Sequence, residues 1–273
     1  MRWSAERGMI LNSIISMMGG GLAIGPYTSA FLSEVTSRGG SLTDNELTYL
    51  STFEASIGSD MSEFDRLWIH GLSNNIAART SFVNPTSTII TAVNSPIFTA
   101  NQGYSGNYSN MYLNTNYNLT SNSVKLTLNS ASAFLYSRSN VANDSADMGA
   151  VTTAPLALTQ ILTRGALNNI VGDINANDNT GTTSTDSRGF FSAVRNSAAT
   201  NQIYKNGALI ASGVRLSRLP DINLYLLCRN LNGNPNFFAG RELSLSGVGS
   251  SSINQLNFYN AVQALGTSIG WAV

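Results

Sequence analysis

The sequence predicts a mainly β fold: a jelly-roll sandwich of two antiparallel sheets, preceded by a helical region and closed by a C-terminal helix. Three observations predict it. From about residue 84 short apolar runs alternate with turn clusters every 8–12 residues or so, the pattern of an all-β domain. Ile203-Tyr204-Lys205-Asn206-Gly207-Ala208-Leu209-Ile210 places Asn-Gly between two apolar runs, which specifies a tight hairpin because both central residues accept φ > 0. Helical spacing is confined to the stretch before residue 84 and to the last residues of the chain.

Taken in order, residues 1–26 read as an arm. Arg2 and Arg7 precede the apolar stretch Met9–Met18, and Gly19-Gly20-Gly21 follows. An amphipathic segment of this kind is expected to pack on the body of the protein or on a partner. Residues 27–83 read as a helical adaptor. One helix is expected at Tyr27–Ser37. A second follows the capping box Thr43-Asp44-Asn45-Glu46, carries Leu47, Leu50, Phe53 and Ile57 at helical spacing, and ends at Gly58. A third is expected to start at Ser62, with Phe64, Leu67, Trp68 and Leu72 on one face.

Residues 84–273 then form the sandwich. Strands are expected at Ser123–Leu128, Ala133–Ser137, Gly189–Val194, Gln202–Tyr204, Ala208–Ala211, Asn223–Arg229 and Arg241–Gly247, with turns at Gly181 and Asn232-Gly233. The closing helix repeats Phe258, Val262, Leu265 and Ile269. Ser250–Ser252 is its expected N-cap and Gly270 its C-cap.

Composition narrows the function. Lys+Arg and Asp+Glu both number 15 and charged residues make up only 11%. With a sequence pI near 6.6, no phosphate-neutralising face is expected, so nucleic acid is not an expected partner. No run of ~18 apolar residues exists, so no membrane insertion is expected. The surface is instead rich in Asn, Ser and Thr, a neutral and hydrogen-bonding character. The single cysteine, Cys228, lies in an apolar run and reads as a small buried hydrophobe.

Candidate chemistry is sparse. One histidine, His70, and one cysteine cannot seed a zinc site. A sugar-cleaving enzyme needs two close carboxylates. The acids of the β region are few (Asp144, Asp147, Asp173, Asp178, Asp186, Asp221 and Glu242) and are not paired at strand spacing. No enzymatic activity is therefore expected, with a glycan-cleaving enzyme as the alternative. Asp144 and Asp147, and Asp173 to Asp178, supply loop oxygens of the kind calcium takes; solvated loop acids are the plainer reading. Calcium aside, no cofactor is expected. Tyr104, Tyr108, Tyr112 and Tyr117 line a Gly/Asn-rich stretch. Aromatic faces beside amides are the usual means of gripping sugars, so Tyr104, Tyr108, Tyr112 and Asn230 are the glycan-binding candidates. Ordinary strand tyrosines are the other reading.

Several stretches resemble one known group. "LTLNSASAFLYSRSN" followed by "MGA", "TDSRGFFSAVRNSAATNQIYKNGALI", "LPDINLYLLCRNLNG" and "FFAGRELSLSGVGSSSINQLNFYNAVQALGTSIG" occur in the order and spacing of concanavalin A/laminin-G-like structural proteins of tailed phages infecting Bacteroidetes-type bacteria. "AFLSEVTSRGGSLTDNELTYLSTF" resembles their helical lead-in. The resemblance spans roughly residues 28–273. It implies a laminin-G-like fold in a virion protein, attached to capsid, tail or fibre, assembled in the host cytoplasm and contacting host glycans. It carries no catalytic residues. The arm departs from the group's pattern. Its apolar residues Met9, Ile10, Leu11, Ile14 and Ile15 are the expected anchor onto other virion proteins, and a homo-oligomer is expected.

Overall fold

A computed structural model describes residues 24–273. The expected anchoring residues Met9, Ile10, Leu11, Ile14 and Ile15 lie outside the described residues.

The chain begins with helices α1 (Pro26–Ser37) and α2 (Asp44–Ile57). The capping box forms as expected: Thr43 accepts from the Glu46 amide, and the Glu46 carboxylate accepts from the Thr43 amide. Gly58, at φ 60°, ends α2. Next come strand β1 (Phe64–Trp68) and the short helix α3 (Asn75–Arg79). The strands that follow are β2 (Thr91–Val93), β3 (Ile97–Thr99), β4 (Gly103–Ser105), β5 (Tyr112–Asn118), β6 (Ala131–Ser137), β7 (Met148–Thr153), β8 (Leu156–Leu162) and β9 (Asn169–Ala176). After them come β10 (Gly181–Thr183), β11 (Gly189–Arg195), β12 (Thr200–Lys205), β13 (Ala208–Val214), β14 (Asn223–Leu226), β15 (Arg229–Leu231), β16 (Asn234–Asn236) and β17 (Glu242–Gly249). Helix α4 (Gln255–Ile269) closes the chain.

The strands form two sheets. The inner sheet runs β13-β12-β11-β6-β17-β4-β3, with β1 also on β17. The outer sheet runs β10-β9-β8-β7-β14-β5-β2, with β15 parallel to β7 and β16 paired to β15. The other neighbouring pairs are antiparallel, so the expected mainly β sandwich of antiparallel sheets is the observed one.

The inner sheet is apolar on both faces, because the helices cover its second side. Ala133, Leu135, Phe191 and Ala193 pack between the sheets, while their neighbours Phe134, Tyr136 and Phe190 pack among the helices. Every residue of β6 and β11 is therefore buried, and these strands read as mostly apolar runs with no polar face. The outer sheet has one free face. Along β5, Tyr112, Asn114, Asn116 and Asn118 are half-buried while Leu113, Thr115 and Tyr117 are buried.

Five local expectations differ from the structure, the first being that Gly181, expected in a turn, opens strand β10. The helix expected from Ser62 is a 3-10 turn followed by β1. A register shift between Phe64 and Arg66 puts Phe64 and Leu67 on the helical side and Trp68 on the sandwich side, which imitates a helical period. Segment 64–68 thus belongs to the sandwich, and residues 27–83 share one core with it. Ser123–Leu128 forms no strand, because the Asp65 carboxylate accepts from the backbone amides of Val124, Lys125 and Leu126 at 2.7–2.9 Å. These donors are spent on a carboxylate in place of a ladder. The strand expected at Asn223–Arg229 divides into β14 and β15 at Leu227, whose φ is 64°. The N-cap of α4 is Asn254, which accepts from the Asn257 amide, in place of Ser250–Ser252. Asn206 and Gly207 do take φ 50° and 76° and join β12 to β13.

Candidate ligand-binding face

The structure separates the expected glycan-binding residues. Tyr104 is only 1% exposed. It lies in the sandwich core against Phe98, and its hydroxyl donates to Asn75. Asn230 is 2% exposed; its amide donates to the Asn223 carbonyl and its carbonyl accepts from the Gly233 amide, so it holds the β15–β16 turn. Both are corrected to structural roles. Tyr108 is exposed, with its ring seated on Gly240. Tyr112 alone lies on the free face of the outer sheet, packed on Tyr225 with ring centres 4.8 Å apart and planes tilted by 33°, and near Phe238.

The two calcium candidates have partners within the protein. Asp147 is fully buried and paired with Arg241, whose Nη1 lies 3.0 Å from its carboxylate, and it accepts from the Thr163 amide and hydroxyl. Asp144 instead accepts from the Ala166 amide at 2.8 Å. Among the described residues no group of three or more His, Cys, Asp or Glu side chains could hold a metal ion.

The register of the outer sheet assembles a different set. Asp173 on β9 is opposite Gln160 on β8, Gln160 is opposite Gly149 on β7, Gly149 is opposite Tyr225 on β14, and Tyr225 is opposite Asn114 on β5. This is one lateral band across the sheet. Gly149 is needed because Arg229 crosses the band there: a Cβ at residue 149 would sit 2.9 Å from Arg229 Cγ. The Arg229 guanidinium lies 4.3 Å over the Phe237 ring and its Nε donates to Asn236. Phe237 is 50% exposed and has φ 52°. A non-glycine residue rarely adopts that conformation, and here the Ala146 amide donating to the Phe237 carbonyl holds it.

Two hollows of about 340 and 350 Å³ meet at Gln160, Asn179 and Arg229. The first is bounded also by Asp144, Asn169 and Phe237, the second by Asp178, Leu156 and Leu231. Gln160 Nε2 donates to Asp173 and Asn179. Among the described residues, Gln160 Oε1, Asn179 Nδ2 and both Nη atoms of Arg229 have no partner, and none of them is a buried unpaired atom. Asn179 is exposed and Arg229 half-buried, while Gln160 is only 8% exposed and lies at the floor where the hollows meet. Planar amides, a guanidinium and aromatic edges in a shallow trough can hydrogen-bond vicinal hydroxyls and cover an apolar ring face.

Sequence reasoning missed Gln160, Asn179, Arg229 and Phe237. Strands β7, β8 and β9 carry no alternating pattern, since most of their residues are buried. The available signals were "MGA" around Gly149 and the arginine after Cys228.

The titratable groups near this core differ in sign. Burial pushes the Asp173 carboxyl up to about 7, offset in part by bonds from the Thr180 amide and Gln160. Burial draws His70 down to about 4, while Nδ1 lies 2.9 Å from the Ala78 carbonyl and Nε2 2.8 Å from Ser246 Oγ. His70 and Ser246 are both fully buried, so this pair has no access to a substrate. His70 follows the end of strand β1.

Between pH ~4 and ~7 the folded chain holds a proton on Asp173 that the unfolded chain releases, so this group's contribution to stability falls as pH rises. Between ~6.5 and ~4 the unfolded chain protonates His70 while the fold does not, so that contribution falls as pH falls. The slopes oppose one another. Asp173→Asn removes the first, so its melting temperature should drop more steeply than wild type on acidification from pH 6.5 to 4. Parallel melting curves would show that Asp173 ionises normally.

No protein-family model matches the chain, and no curated protein matches it. Among solved structures, the receptor-binding domain of botulinum neurotoxin D is similar with a TM-score of 0.49 and 11% identity, over 75% of this chain and 54% of that one. The NanB sialidase from Streptococcus pneumoniae is similar with a TM-score of 0.36 and 16% identity, over 49% of this chain and 25% of that one. The chain thus spans about half or less of these proteins. Likenesses of this size carry no argument about activity. No described helix is long and apolar enough to cross a membrane.

Proposed function

We propose that the chain is a non-enzymatic display protein of a tailed-phage particle whose outer sheet binds glycans of the host surface. The observation that carries the binding role is the in-register band from Asp173 to Asn114, with polar atoms of Gln160, Asn179 and Arg229 that bond to nothing among the described residues beside exposed Phe237, and with Tyr112 packed on Tyr225. The low charge and Asn/Ser/Thr-rich composition suit recognition through hydrogen bonds. The virion role rests on the resemblance of residues 28–273 to phage structural proteins. In this reading Met9, Ile10, Leu11, Ile14 and Ile15 attach the chain to capsid or tail neighbours. Repetition on the particle, as a homo-oligomer or on a lattice, turns a weak site into useful avidity.

The test is a glycan array probed with wild type, Tyr112→Ala and Gln160→Ala. Each variant should lose roughly tenfold or more in binding to the retained glycans; Gln160→Ala should also melt lower, because the buried Asp173 carboxyl loses a partner, while Tyr112→Ala should keep the fold. Absence of any binding would leave a purely architectural decoration protein. The alternative, a glycan-cleaving enzyme, predicts new reducing ends on bound glycans; Asp173, the carboxyl raised to about 7, is fully buried and reaches no bound sugar.

A further inference from the structure

Arg229 stands where the two hollows meet, and among the described residues no carboxylate pairs with it. Its stem lies on Gly149, its Nε is bound to Asn236, and one face of the guanidinium rests on Phe237. Five other arginines are paired with carboxylates: Arg38, Arg138, Arg188, Arg215 and Arg241. Among the described residues no ion pair involves Arg229, and its two Nη atoms donate to nothing there and are not buried.

We propose that the glycan bound on this face carries a carboxylate, as uronic and sialic acids do, and that Arg229 reads it through a two-pronged hydrogen bond. This rests on the glycan-binding reading above and names its ligand class. A guanidinium fixed by stacking and by one hydrogen bond presents its remaining edge as a planar fork, which matches a carboxylate better than a hydroxyl. The neighbouring groups suit the rest of a sugar. Gln160 Oε1 accepts a hydroxyl and Asn179 Nδ2 donates to one, while Phe237 offers an apolar ring. Asp144 bounds one hollow and Asp178 the other. Their carboxylates accept hydroxyls and repel further anions. The occupant is therefore an acidic sugar among neutral ones, in contrast to a sulfated or phosphate-rich polyanion.

The experiment uses an array that carries acidic glycans beside the same glycans with the carboxyl reduced to the alcohol. It is probed with wild type, Arg229→Gln and Arg229→Lys, after melting curves show that all three fold. Wild type should prefer the acidic form by about tenfold or more, less so as salt is added. Arg229→Gln should bind both forms alike, at the level of the reduced glycan. Arg229→Lys should keep part of the preference, because it retains the charge and loses the fork. Equal wild-type binding of acidic and reduced glycans overturns the inference and leaves the glycan-binding reading standing. So does a preference that survives Arg229→Gln. Failure to bind any glycan overturns that reading and this inference with it.

Discussion

Arg241→Met should lower the stability of the fold by about 3–5 kcal/mol, the cost of leaving a buried charge without its partner. Arg241 and Asp147 are both fully buried. The guanidinium donates to the carbonyls of Val141, Asn143 and Ser145, to the Asp147 carboxylate and to the Arg164 carbonyl. One side chain thus fixes the loop 139–147 and the end of β8 from the start of β17. Methionine keeps much of the volume and removes every donor, so five backbone and side-chain acceptors lose the bond that Arg241 gives them. Replacing Asp147 with Leu in the same chain should restore part of the loss, because no charge then remains buried. Chemical denaturation reads both. A loss under 1 kcal/mol in the single variant would mean that water reaches these carbonyls. The same loop supplies Asp144, Ser145 and Ala146 to the first hollow, so ligand binding should weaken along with stability.

Phe258→Ala should cost a comparable ~3–5 kcal/mol. Phe258 on α4 sits among Phe134 at 4.8 Å, Phe64 at 4.9 Å, Phe190 at 5.3 Å and Phe53 at 6.4 Å between ring centres. It therefore touches helix α2, strand β1 and the helical side of the inner sheet together. Unfolding should stay a single transition, since the helices and the sandwich share this cluster. A first transition confined to helical signal would show that residues 26–57 fold as a separate adaptor.

The parts of this fold legible in the sequence are those governed by local chemistry. The capping box at Thr43, the glycine stops at Gly58 and Gly270, and the Asn206-Gly207 turn depend on a few adjacent residues, and each forms. The helix expected over 62–72 failed because a bulge in a strand gives apolar residues a helical spacing. Ser123–Leu128 failed because Asp65, far away in sequence, takes its amides. The site was less legible than the fold, since it arises from pairing between strands. Tyr104 and Tyr112 share one tyrosine-rich stretch but stand on different sheets, one facing the core and the other the free face. Arg229, Gln160 and Asp173 come together only through the order β15-β7-β8-β9, which no single strand's pattern encodes.

The most direct test of the central claim is a crystal structure of the chain with a glycan retained on the array. The account predicts sugar density along the outer sheet, over Gln160, Arg229 and Phe237 and reaching toward Tyr112. Density on the helical layer or on the β12–β13 hairpin, with the outer sheet bare, would contradict it.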